Sequence, residues 1–415
     1  MKILVLTQYF PPEIGAAPTR LASMLLELHA LGHTVEVVTS LPNYPSGKIF
    51  PEYRERFYVR ETWKCIPVHR VWLYAALGGG LARILNYVSF SVLSLWGLFQ
   101  ANKPDYLFVE SPPLTISLPA YLYSRIRRVP FILNIADLWP DTIVEMGLMG
   151  KGIAFRLLLA LEKWSYRRAS YINAVTEGLR DTLLKEKNVP AEKLLFLPNG
   201  VDTQKFRPQP ADERLKEKLG LADKRVILYM GTQGLAHSLD NVLRAAKLLH
   251  DRSDIHFLFI GDGSERKNLE RLRHELALNN VTFHNPVPLD QLPTYYSIAD
   301  SGLVSLRALS IFESARPSKI FPLLASGKPL LFFGGGEGAR LVQSAKAGLV
   351  IPPENPEALA SAVTHLFQDS ALAEELGANG RRFVEDNYQW STLVRNWVAS
   401  LLANGTNSWR SQGLN

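Results

Sequence analysis

The sequence predicts an α/β protein of two doubly wound parallel-sheet domains, and three observations predict it. Short apolar runs alternate with amphipathic stretches along nearly the whole chain. Glycines stand directly after several of those runs, where strands of such sheets end in ligand loops. Residues 196–208, Phe-Leu-Pro-Asn-Gly-Val-Asp-Thr-Gln-Lys-Phe-Arg-Pro, hold turn formers without a helical period, and the alternation restarts after them. A chain of 415 residues is also too long for one ordinary core. We place the first domain at residues 1–200 and the second at 201–388. A C-terminal helix at 389–403 is expected to cross back to the first domain, with a polar, disordered tail at 404–415.

The elements follow in order. Lys2 to Thr7 is a short apolar run, and a loop with Pro11, Pro12 and Gly15 carries it into an amphipathic segment from Thr19 to Leu31. Gly32 closes that helix and Thr34 to Thr39 is the next strand, which completes a βαβ unit and requires parallel pairing. Further strands are expected at Tyr106 to Glu110, Phe131 to Ile135 and Tyr171 to Val175. Beyond the junction, Arg225 to Met230 runs into Gly231-Thr232-Gln233-Gly234 and a helix from Leu239 to Leu249. His256 to Ile260 then ends in Gly261-Asp262-Gly263, and Asn280 to Phe283, Ser301 to Val304 and Leu330 to Phe333 continue the sheet. A last helix, Ser391 to Leu402, begins beside Trp390.

Apolar residues make up 47% and charged residues 20%, a globular balance. The net charge of +7 favours anionic partners, yet no Lys/Arg run is dense enough for nucleic acid. The lone Cys65 excludes an internal disulfide and a thiolate metal cluster, which fits a reducing cytoplasm. Met1 to Thr7 is too short for a signal peptide. The nine histidines are scattered, without metal-ligand spacing on a predicted helix.

One segment breaks the alternation. From Ile84 to Asn102 no residue is charged, and Leu85, Val88, Val92, Leu95 and Phe99 recur at helical spacing. Asn86, Ser89, Ser91, Ser94, Gln100 and Asn102 argue against a span, which leaves a buried helix or one resting on membrane lipid. Lys151, Arg156, Lys163, Arg167 and Arg168 interleave with Phe155, Leu157, Leu158, Leu161 and Trp164. That pattern suits an anionic membrane surface and equally a solvated helix face.

The stretch from Ile311 to Gly338 carries the most chemistry. Glu313, Arg316 and Lys319 lie in a polar loop before an apolar helix, with Pro317 and Ser318 at the helix start. A helix N-terminus with two cations beside it suits a diphosphate. Gly334 to Gly336 let the backbone approach a ligand. The fingerprint Gly-x-Gly-x-x-Gly after a first strand is missing, and so is a Walker loop, which argues against dinucleotide and nucleoside-triphosphate chemistry.

Several motifs stand in a fixed order: the Gly15 loop followed by Gly32-His33-x-Val35-x-Val37, Leu197-Pro198-Asn199-Gly200-Val201-Asp202 with Phe206 and Pro208, Ile260-Gly261-Asp262-Gly263, and Asp300 before Leu303-Val304. Together they resemble the family 4 glycosyltransferases, over about residues 1–400. Asp137-Leu138-Trp139-Pro140-Asp141, Gly231-x-x-Gly234-x-Ala236 and Arg316-Pro317-Ser318-Lys319 are similar to the branch of bacterial L-fucosamine transferases of surface-polysaccharide assembly. The resemblance implies a GT-B fold, two Rossmann-like domains facing across a cleft, with the donor nucleotide on the second domain and the acceptor on the first. It also implies transfer with retained configuration. The family's paired glutamates do not match, because Pro322 takes the second position and Ser314, next to Glu313, the first.

These readings single out Asp137 and Glu313 as catalytic candidates. Donor-binding candidates are Gly15, Gly231, Thr232, Gln233, Gly234, Asp262, Arg316, Ser318, Lys319 and Gly335; Asn43 and Trp139 stand on the acceptor side. The missing basic pair after Gly231 shifts the charge requirement onto Arg316 and Lys319. No Asp-x-Asp triplet occurs, so metal independence is expected, with no cofactor beyond the nucleotide-sugar co-substrate, expected as UDP-linked. The expected acceptor is a polyprenyl-diphosphate-linked saccharide, and the expected location is cytoplasmic, peripheral on the inner face of the cell membrane. A nucleotide-sugar epimerase or hydrolase, or a non-catalytic homologue, would use the same fold.

Overall fold

The computed structural model describes residues 1–76, 80–147 and 149–411, with 405–411 as backbone only. It divides into two compact units, Met1–Pro198 with Trp390–Asn415, and Asn199–Gln389.

In the first unit eight strands form one sheet: β1 (Lys2–Leu6), β2 (Thr34–Ser40), β3 (Tyr58–Trp63), β4 (Ile66–Val71), β5 (Tyr106–Ser111), β6 (Phe131–Ile135), β7 (Tyr171–Ala174) and β8 (Leu194–Phe196), in the order β3-β4-β2-β1-β5-β6-β7-β8. All pairings are parallel except β3 with β4. The hydrophobic clusters lie on both faces of this sheet. One contains α1 (Ala16–Ala30) with Trp390, Val394 and Trp397 of the C-terminal helix Trp390–Ser411. The other contains Phe90 and Leu98 of α2 (Gly80–Gln100), Ala120 and Tyr123 of α3 (Ser117–Arg127), and Tyr166 of the helix Ile153–Arg168. The C-terminal helix continues to Ser411, where the sequence suggests a disordered tail from Asn404; residues 412–415 lie outside the described residues.

The hairpin β3–β4 and the short β8 escape the sequence pattern for a physical reason. Strand β4 buries His69 and Arg70 completely, which breaks the apolar run expected of an interior strand. The two are stabilised by polar partners. His69 Nε2 lies 2.8 Å from Glu36 and Nδ1 2.6 Å from the Tyr58 hydroxyl, while Arg70 Nε donates to Glu61 at 2.6 Å and its terminal nitrogen to the Pro11 carbonyl.

The second unit holds six strands, all parallel: β9 (Arg225–Met230), β10 (Ile255–Ile260), β11 (Val281–His284), β12 (Ser301–Ser305), β13 (Leu330–Phe333) and β14 (Gly348–Ile351), in the order β11-β10-β9-β12-β13-β14. Parallel strands buried on both faces read as continuous apolar runs, as residues 226–230 and 257–260 do. The order 9-12 beside 9-10 makes β9 the switch point of this sheet, and the loops after its neighbours converge there.

Candidate functional site

At the carboxyl end of β9, Gly231 takes φ +140, open to glycine and costly for other residues. Lys319 fills the space a side chain there would use: a Cβ on Gly231 would stand 3.3 Å from Lys319 Nζ. The ammonium donates to the Tyr229 hydroxyl at 2.6 Å and sits 4.0 Å from that ring's centroid. Burial pushes Lys319 down to about 7, and no charged partner among the described residues offsets it. The residue keeps part of its surface in water, which moderates that shift. His237 also packs on Tyr229, at 6.1 Å between ring centroids, and is held neutral first by burial and then by the Lys319 charge.

The glycines of the neighbouring loop serve a different purpose. Gly231 N–H donates to Ile260 O and Gln233 N–H to Asp262 O, both at 2.9 Å, so the loops after β9 and β10 pair backbone to backbone. A Cβ on Gly261 or Gly263 would overlap Gly231 or Gln233. Gln233 is fully buried, its amide directed to the Gly261 carbonyl at 3.3 Å, so it staples two loops instead of facing a donor. Thr232 and Asp262 are exposed on the loop surface, and Gly234 is partly exposed.

Arg316 also departs from expectation. It is 7% exposed, donates to the Tyr388 hydroxyl at 2.8 Å, and lies 3.6 Å from the buried Glu337 carboxylate. A guanidinium committed to an interior carboxylate and stacked on Tyr388 is a structural cation, so the charge requirement falls on Lys319. The helix after it spans only Ile320–Ala325, starting beyond Pro317 and Ser318. Ser318 is partly exposed in the turn before it. Glu313 is exposed, in a 3-10 turn whose carboxylate lies 3.8 Å from Arg340. Gly335 faces it: a Cβ there would stand 3.5 Å from Glu313 Oε1.

Asp137, Trp139, Asn43 and Gly15 belong to the first unit, and the remaining donor candidates to the second. Asp137 follows β6 and is exposed, and its carboxylate makes no hydrogen bond among the described residues. Surrounding protein raises that carboxyl to about 6 and Arg20 pulls it back, and water on its exposed surface moderates the rise without changing its direction. Arg20 in turn pairs with the buried Glu110, whose other oxygen accepts from Asn134 at 2.8 Å. Asn173 and Trp397 extend this chain, at 2.6 and 3.0 Å, to the C-terminal helix.

Asn43 is buried, its amide donating to Leu41 O at 3.0 Å and to Ser40 Oγ at 3.3 Å, so it builds the loop and is closed to an acceptor. The residue that organises this loop is Glu13, which the motif reading passes over. Its Oε1 accepts from the backbone of Asn43 and Tyr44, both at 2.9 Å, and Oε2 from Phe10 at 3.1 Å. Burial pushes it up to about 7 against those bonds. Trp139 meets Tyr87 of α2 edge to face at 6.4 Å.

Helix α2 is long and apolar enough to cross a membrane, although only 33% of its most apolar window is buried. Leu81, Ile84, Leu85, Val88, Val92 and Trp96 are exposed on it. Neighbouring helices add Leu118, Leu122 and Ile126 of α3 and Ile153 and Leu157 of Ile153–Arg168, a density unusual for a water-facing surface.

Comparison with known proteins agrees with this architecture. A family model described as Glycosyl transferase 4-like domain matches residues 15–200, and one described as Glycosyl transferases group 1 matches residues 211–383. The chain is 30% identical over 319 residues to a GDP-mannose-dependent alpha-(1-6)-phosphatidylinositol monomannoside mannosyltransferase of Mycolicibacterium smegmatis, covering 71% of this chain and 83% of that protein. It is 27% identical over 414 residues to the WcaI glycosyl transferase assigned to colanic acid biosynthesis in Escherichia coli, covering 96% and 99%. Anabaena HepE, solved with UDP and glucose, shares the fold at a TM-score of 0.72 and 18% identity, covering 97% of this chain and 99% of that one.

Proposed function

The chain belongs to the family 4 glycosyltransferases of GT-B fold, and from that premise we propose that it transfers a sugar, with retained configuration, from a nucleotide diphosphate to a polyprenyl-diphosphate-linked saccharide of bacterial surface-polysaccharide assembly. The donor is proposed to be UDP-linked and its sugar an N-acetylated or deoxy hexosamine, as in the L-fucosamine transferase branch. The enzyme works on the inner face of the cell membrane and without a metal ion, since the chain lacks an Asp-x-Asp triplet.

One observation carries this reading: Lys319 is a basic side chain with no acidic partner among the described residues, held beside Gly231 at the switch point of the second sheet, where a bound diphosphate would favour its ammonium. When the anomeric carbon–oxygen bond breaks, its electron pair passes to the diphosphate oxygen, and a fixed ammonium stabilises the charge that develops there. The acceptor hydroxyl forms the new bond on the same face and gives its proton to the departing phosphate. On the first unit, Asp137, whose carboxylate makes no hydrogen bond among the described residues, is the candidate for binding the acceptor. No side chain is required to attack the sugar.

The test is calorimetry of the purified protein with UDP, GDP and ADP, with and without EDTA, followed by turnover of UDP-sugars with lipid-linked acceptors. UDP binding that survives EDTA is expected. GDP binding alone would move the donor toward that of the mannosyltransferase relative, and a requirement for metal would overturn the charge assignment to Lys319.

A further inference from the structure

We infer that Arg83, at the start of α2, is the subsite for the phosphate of the acceptor lipid, with the exposed apolar face of the same helix lying in the leaflet that carries that lipid. This inference rests on the lipid-linked acceptor proposed above.

The helix has two faces with different chemistry. Its outer face is the exposed apolar stripe, and basic residues Arg125, Arg127 and Arg128 close the end of neighbouring α3, a pattern that complements an anionic leaflet. Its inner face turns Arg83, Asn86 and Tyr87 toward the loop after β1. Asn86 accepts from Gln8 at 2.7 Å, which ties the helix to that loop. Arg83 lies 4.5 Å from the Tyr87 ring and donates through Nε to its hydroxyl at 2.8 Å. The Tyr9 hydroxyl approaches the same guanidinium.

No carboxylate pairs with Arg83 among the described residues; only tyrosine hydroxyls and a carbonyl, that of Ala76 at 3.4 Å, meet it. A half-buried guanidinium held by neutral groups keeps its full charge for an anion, and its planar fork suits phosphate. Tyr87 in turn meets Trp139, two residues from Asp137. One helix thus joins a lipid-compatible face, a phosphate-compatible cation and the loop that holds the acceptor-side carboxylate.

Farnesyl diphosphate, a short soluble polyprenyl diphosphate, is the probe, titrated into the full chain and into Arg83→Gln and Arg83→Lys, with farnesol, inorganic diphosphate and UDP as comparisons. The expected result is farnesyl diphosphate affinity lowered about tenfold or more in Arg83→Gln, the loss expected for one charge-assisted hydrogen bond, and partly restored in Arg83→Lys. Farnesol and UDP affinities should not move, and thermal melts should report both variants folded. Farnesyl diphosphate binding unchanged by Arg83→Gln would overturn the assignment, as would its complete displacement by UDP. Inorganic diphosphate binding as tightly as the prenyl compound would make this a free-anion site and overturn the lipid assignment. UDP failing to bind while farnesyl diphosphate binds through Arg83 would sink the donor reading and leave this one standing.

Discussion

Replacing Lys319 with methionine removes the ammonium while a chain of similar length still fills the space beside Gly231 and Tyr229. Loss of a positioned donor to developing charge lowers turnover by about 100-fold to 1,000-fold in comparable sites. The structure adds a second signature. With its side chain pushed down to about 7, free Lys319 is mostly neutral at pH 8. A bound diphosphate favours the ammonium, so UDP binding at pH 8 should take up a proton, to a limit of about 0.9 per site. Water on the residue's exposed part reduces that figure and leaves its sign. UDP affinity should therefore fall as pH rises through about 7. Calorimetry in buffers of different ionisation enthalpy reads the uptake directly, and Lys319→Met should abolish it. Zero uptake in the wild-type protein, together with less than about a threefold effect of the substitution on turnover, would refute the reasoning.

Arg316→Met leaves the buried Glu337 without its cation and should cost about 3–5 kcal/mol of unfolding free energy, measured in urea, while UDP affinity of the folded protein changes little. Glu13→Gln tests the loop staple. Native Glu13 keeps its proton up to about pH 7 and the unfolded chain loses it near 4.5, so its contribution to stability is full below pH 4.5 and lost as pH rises to 7. The wild-type curve should fall relative to the variant's across that window by up to about 3 kcal/mol; parallel curves would contradict the assigned burial effect. Leu85→Glu with Val92→Glu, both on exposed positions, should abolish sedimentation with vesicles containing phosphatidylglycerol and leave the melting temperature within about 2 °C. Retention on vesicles would show that this face does not meet lipid.

The two sheets were legible because parallel strands buried on both faces spell apolar runs, as residues 3–6 of β1 and 226–230 of β9 do. What was not legible was polar. His69 and Arg70 hide β4 as a charged segment, because their partners, Glu36, Tyr58, Glu61 and Pro11, come from distant positions in the chain. Glycine motifs were visible as motifs, yet their causes differ. Gly231 makes room for Lys319, whereas Gly261 and Gly263 make room for another loop's backbone, and spacing alone does not separate the two. Glu13 lacked any signal, since it acts through three backbone amides; Arg83 sits one helical turn from Tyr87, but Tyr9, which meets the same guanidinium, comes from a distant loop.

Arg316 and Lys319 show why a short motif is a statement about a turn and not about each of its members. Pro317 and Ser318 separate two cations that sequence treats as a pair, and the turn sends them in different directions before Ile320 begins its helix. The guanidinium goes inward, where a planar, delocalised cation can stack on Tyr388 and meet a carboxylate at modest desolvation cost. The ammonium goes to the end of β9, where a compact charge on a flexible stem reaches Tyr229 and lacks an acid among the described residues. Exchanging them should therefore fail at both positions. Arginine at 319 brings a larger planar head to the place where a compact ammonium now packs 4.0 Å from the Tyr229 ring centroid, and lysine at 316 lacks the fork that serves Glu337 and Tyr388 together. A double exchange that kept both stability and UDP affinity would mean that the motif supplies only net charge. Loss of stability with Arg316→Lys and of UDP affinity with Lys319→Arg would mean that the turn assigns each cation its own task.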